Sequence, residues 1–121
     1  MQRYRFDPER GRAVAAHGSR AVRAGPVQHS PALLVVTALH IAPHGEIGAH
    51  EAPVDQLFLV VEGEGWVAGV DGRPSPVRAG EAAFWRAGER HGAGSSVGMR
   101  AVVLEGDGLD PDARLEVLGD G

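Results

Sequence analysis

No cysteine occurs in this sequence, which excludes disulfides and thiolate metal sites and leaves only nitrogen and oxygen side chains to hold any metal. Lysine is also missing. All twelve basic residues are arginines, and they are scattered rather than gathered into a stripe, so a nucleic-acid partner is not expected. The missing lysine beside abundant arginine, alanine and glycine reads as a compositional bias and carries no mechanism. No stretch approaches the roughly 20 apolar residues of a membrane span. The charged start, MQRYRFDPERGR, has no apolar run of signal-peptide length. A soluble, cytoplasmic protein with no membrane partner is the expectation, and the net charge of -4 is too small to argue for a charged partner.

What is present points to short strands. With 18 glycines and 8 prolines against 43% hydrophobic residues, the composition describes many turns between apolar segments, and 121 residues suit one compact domain. Residues 1–30 read as a turn and edge-strand segment ahead of a barrel over 31–121. In that first part, Asp7 to Gly11 is a turn or short capped helical turn, and Ala13 to Ala24 is an edge strand. The run ALLVVTALHIA, bounded by Pro31 and Pro43, predicts a central strand with both faces buried.

Pro43 to Gly48 reads as a loop. Val54 to Val61 and Trp66 to Val70 read as two strands of a hairpin that turns through Glu62 to Gly65. After the turn at Asp71-Gly72 come short strands at Val77-Arg78 and Glu81 to Trp85. A glycine-containing turn then delivers His91, and further strands follow at Val97 to Glu105 and Ala113 to Leu118. The class is all-β, a sandwich or barrel.

Strand alternation gives the candidate site. Side chains at every second position share a face, so His50 and Gln56 converge, and an antiparallel fold can bring His91 beside them. Asp55 and Glu51 have the opposite parity and are expected to face away. Trp66, Phe84, Trp85 and Phe58 are candidate pocket walls or plain core. Arg86 is either a contact for an anionic substrate or a surface arginine. His40 and His44 lie near enough in sequence to serve as substitute ligands, while His17 and His29 read as solvated. Gly63, Gly80 and Gly88 fall where the backbone must reverse and are expected at positive φ.

These residues resemble the motifs of the cupin superfamily. Gly45, His50, Gln56 and Gly63 occupy places of its first motif, with one residue fewer between Gly45 and the histidine positions. Gly80, Gly88 and His91 match its second motif at full spacing. Ala52 stands where the first motif has its second histidine, Gln56 where it has glutamate, Arg86 where the second motif has proline, and Ser95 where it has asparagine. The resemblance, to a small single-domain bacterial cupin with a degenerate first motif, implies a double-stranded β-helix or jelly-roll barrel. It also implies a divalent ion (iron, manganese, nickel or zinc) held by His50, Gln56 and His91, beside a small-molecule ligand.

Three functions are open at this point. The chain can be a metal-dependent dioxygenase or isomerase, a non-catalytic module that binds a small ligand with the metal site empty or weakly filled, or an assembly protein with a vestigial site. The strand at 54–61 is apolar on both faces and one sheet-on-sheet core covers only one of them, so the second is expected to be covered by an N-terminal strand or a subunit partner, and a homodimer is expected too.

Overall fold

The computed structural model describes residues 1–21, 23–28 and 34–120. Among the described residues eleven strands follow one another: β1 Gln2–Arg5, β2 Arg12–Ala13, β3 Arg23–Ala24, β4 Val35–Ile41, β5 Gly45–Glu51, β6 Gln56–Ala68, β7 Ser75–Arg78, β8 Glu81–Trp85, β9 Arg90–Ser95, β10 Met99–Glu105 and β11 Glu116–Asp120. The first layer runs β11-β1-β8-β6-β10-β4. In the second layer, the far half of β6 pairs with β7 and β9, and β9 pairs with β5. This is the all-β jelly-roll architecture that the sequence implies.

Alternation sorts the residues of the first layer onto its two faces. On β10, Met99, Ala101 and Val103 are buried inward, against Phe58 and Val60 of β6, Ala83 and Trp85 of β8, and Val67 and Ala93 of the second layer. The opposite face of the same sheet carries a separate cluster of Leu57, Leu59, Ala82 and Phe84. That cluster is closed by Tyr4, Leu109 and Leu115, with Phe6, Val27 and Leu34 packed beside it. Burying a large aliphatic or aromatic side chain contributes about 1.5–3 kcal/mol, so both faces of β6 are held from within the chain. The second apolar face of the 54–61 strand therefore has its cover in the N-terminal strand, one of the two covers expected, together with Leu109 and Leu115.

Tyr4 secures that cover. Its hydroxyl donates to Asp112 Oδ1 at 2.6 Å, and burial, followed by this carboxylate, pushes the phenol pKa upward. The first residues form a strand, β1, between β8 and β11, where the sequence offered only a polar stretch. Asp7 caps the 3₁₀ turn Pro8–Arg10 by accepting from the Glu9 amide, as expected of that turn. The edge strand expected over 13–24 is not formed. Its ends instead make the two-residue pair of β2 and β3, and Val22 lies outside the described residues.

Four further expectations are corrected. The hairpin through Glu62 to Gly65 does not exist, because β6 is one strand of 13 residues. Val61 is an extra residue in its register with β10, Gly63 sits at φ 81°, and the strand bends there from the first layer into the second. The loop expected at 43–48 is mostly strand, since β5 begins at Gly45. The strand expected at 32–42 is real over Val35–Ile41, but it lies at the edge of its sheet, and Val35 and Val36 are exposed. Residues 32 and 33 lie outside the described residues. The last strand begins at Glu116, after a 3₁₀ turn over Pro111–Ala113.

Candidate functional site

His50 and His91 reach the same place because β5 and β9 pair antiparallel with these two residues in register. Between Ile47 and His50 the register shifts, so that Gly48 and Ala49 together oppose Gly92. A bulge of this kind lets Ile47 and His50, three residues apart, line one cavity although simple alternation would separate them. Gln56 opens β6 and lies between Trp85 of β8 and Glu105 of β10, its register partners on either side. Trp85, Gln56 and Glu105 thus form one row, and with His50 and His91 they line a cavity of about 290 Å³.

The rings form a continuous series. Phe58 and Trp85 meet edge-on with centroids 5.9 Å apart, Trp85 and His91 lie 4.7 Å apart, and His91 and His50 lie 4.3 Å apart. Trp85 is fixed by its indole Nε1, which donates to the Ala68 carbonyl at 3.1 Å. His50 Nδ1 lies 2.8 Å from the Gly48 carbonyl. A carbonyl oxygen only accepts, so Nδ1 carries a proton, and in the neutral ring Nε2 keeps its lone pair. His91 is buried and its Nδ1 has no hydrogen-bond partner among the described residues. Burial, and then the neighbouring His50, lower its pKa, against smaller upward contributions from the backbone of Glu89 and His50 and, last, from Glu105. His91 is therefore held toward its neutral form.

The structure brings His50, Gln56 and His91 to one cavity wall. Two of the four aromatic candidates, Phe58 and Trp85, line it with them, while Phe84 packs on the opposite face of the sheet and Trp66 borders other surface hollows. His40 is exposed on β4 opposite Arg100, and His44 is exposed in a turn at φ 66° beside a separate hollow, so neither joins the site. His17 is exposed as expected, and His29 lies outside the described residues. Asp55 turns away and accepts from the Ala87 amide at 2.9 Å, which anchors the turn that leads to His91. Arg86 is exposed, with its guanidinium 5.4 Å from the Phe84 ring centre, on the face away from the cavity. Ser95 is structural: its hydroxyl donates to the Glu64 carbonyl at 2.6 Å and accepts from the Gly98 amide.

Glu105 was missed by the reading of the sequence. It ends a strand whose inward residues are Met99, Ala101 and Val103, and that parity was the available signal.

A divalent ion does not find a complete donor set here. Among the described residues there is no group of three or more His, Cys, Asp or Glu side chains placed to hold a metal, and the third residue of the expected trio is a neutral amide. Two imidazoles and an amide offer borderline donors without the charge that makes a dication tightly held.

Comparison with known proteins agrees with this architecture. No curated protein matches the chain. Among solved structures, a conserved protein of unknown function from Streptococcus pyogenes superposes with a TM-score of 0.57 at 20% identity, over 61% of this chain and 64% of that one. A protein described as a predicted oxalate decarboxylase from Thermotoga maritima gives 0.53 at 19% identity, over 58% and 63%. The chain thus spans somewhat under two thirds of the length of these two structures. A double-stranded β-helix protein from Klebsiella pneumoniae is similar over 93% of both chains, with a TM-score of 0.55 and 24% identity. At these identities the likeness is one of fold. Residues 38–106 match the cupin domain family, more than half of the sequence, and the chain belongs to that family.

Proposed function

We propose that this protein is a small-ligand-binding cupin whose barrel mouth holds a compact metabolite directly, without a tightly bound metal. The observation that carries this reading is the cavity itself, where His50, Gln56 and His91 supply polar contacts on walls built from Phe58, Trp85, Leu39 and Ile47. A largely apolar cavity with a few convergent polar groups is the ordinary form of a small-molecule site, and about 290 Å³ is near the small end of that range. His50 Nε2 offers an acceptor, and the Gln56 amide offers both donor and acceptor.

A second reading keeps the metal. The 4.3 Å approach of the His50 and His91 rings favours it, with Gln56 as third donor. Iron, manganese, nickel or zinc would then be weakly held and would supply a polarising charge for dioxygenase or isomerase chemistry.

Amide NMR of the untagged protein against a panel of small polar metabolites, with and without chelator, separates the two. Shifts confined to cavity residues in the presence of chelator support direct binding. Stoichiometric metal that survives dialysis, and disappears in a His50→Ala, His91→Ala double variant, would overturn it in favour of the metal site.

A further inference from the structure

We propose that Glu105 makes this cavity selective for small molecules that carry an amine or other cationic head on an apolar body, and against carboxylates and phosphates. The inference rests on the reading of the cavity as a ligand site and names the class of ligand.

The argument begins with position. Alternation along β10 buries Ala101 and Val103 inward and brings Glu105, two residues on, to the cavity wall. There it lies beside Gln56 in the cross-strand register. Neighbours of this kind have Cβ atoms about 4.5–5.5 Å apart, so one ligand head can reach both side chains. The Gln56 carbonyl oxygen and the Glu105 carboxylate are both acceptors, which suits a head with several N–H donors.

Compensating charge is missing. Apart from the two histidines, Glu105 is the one acidic or basic residue on the cavity wall among the described residues, and it takes part in none of their ion pairs. The chain has no lysine. No arginine lines the cavity. Arg86, which the sequence offered as a contact for an anion, lies over Phe84 on the other face, and Arg100 is paired with Glu62. An anionic ligand would meet an unpaired carboxylate with no fixed cation to offset it. Phe58, Trp85, Leu39 and Ile47 meanwhile provide apolar walls for the rest of the molecule.

The test uses three probes that share a ring and differ in head: benzylamine, benzyl alcohol and benzoate. Dissociation constants are measured by amide NMR titration on the full chain and on Glu105→Gln, which keeps the shape and removes the charge. Benzylamine should bind the unmodified protein about tenfold or more tighter than benzoate, as charge-assisted hydrogen bonding requires. In Glu105→Gln the preference of amine over benzoate should collapse to within about twofold, with benzyl alcohol affected less than benzylamine. Equal or tighter binding of benzoate by the unmodified protein overturns the inference and leaves the cavity as a binding site. An amine preference that survives in Glu105→Gln does the same. If none of the three shifts the cavity amides, the reading of the cavity as a small-ligand site falls, and the inference with it.

Discussion

His50 and His91 are cross-strand partners whose rings lie 4.3 Å apart, and His91 pays the electrostatic consequence: burial and this neighbour lower its pKa. The folded value lies below the ordinary 6.5, so the unfolded chain takes up the proton first as pH falls. The stability that neutral His91 contributes is present above pH 6.5 and is lost as pH drops through the folded value. Denaturant melts across pH 4 to 8 should slope downward toward acid in the unmodified protein, and less so in His91→Asn. An NMR titration should place His91 below the ordinary 6.5.

Gly63 and Gly72 both have positive φ, 81° and 72°, but only Gly63 faces backbone. A Cβ on Gly63 would collide with the Gly98 carbonyl, whereas nothing lies near Gly72. Gly72→Ala should cost about 1–2 kcal/mol, the ordinary left-handed penalty. Gly63→Ala should cost about 1–3 kcal/mol more through overpacking. Urea unfolding of the two variants checks the order, and equal losses would mean that the bend in β6 relaxes freely.

Trp85 joins the core to the cavity. Replacing it by alanine removes a 1% exposed ring and should destabilise by about 3–5 kcal/mol. Trp85→Phe keeps much of the packing but leaves the Ala68 carbonyl without its indole donor, a loss of about 1–3 kcal/mol. Both variants are read by chemical denaturation, with Trp66 fluorescence as the probe.

The homodimer is a proposal that moves to β4. This strand ends its sheet, and Val35 and Val36 are 56% and 61% exposed on an edge that natural proteins generally cover. Val36→Arg should turn a dimer into a monomer in sedimentation equilibrium with thermal stability retained. A monomeric unmodified protein would remove the expectation.

Much of this molecule was legible in local pattern. Short apolar runs between glycines announced an all-β fold, and the strand at Glu81 to Trp85 lies where its pattern placed it. Gly63, Gly80 and Gly88 all take the expected positive φ, Gly63 at a bend within β6 and not at a turn. His50, Gln56 and His91 do line one cavity. Other elements were not legible. Pro43 to Gly48 looks like a loop because its two glycines carry no side chain that could declare a face, yet from Gly45 onward it is held as a strand by β9. The segment around Gly63 looks like a hairpin because local signals do not distinguish a reversal from a bend that carries one strand between two sheets.

By itself, then, the sequence determined the period-2 patterning, the places where only glycine is comfortable, and the family to which the spacing of Gly45, His50, Gln56, Gly80, Gly88 and His91 belongs. These follow from backbone sterics and from residues a few positions apart. Only the tertiary structure decided which strands pair. Pairing set Glu105 beside Gln56, moved His40 and His44 away from the site, put Arg86 on the far face, and covered Leu57 and Leu59 with Tyr4, Leu109 and Leu115. The physical reason is that register and cover are relations between segments distant in the chain, and no local pattern encodes the partner.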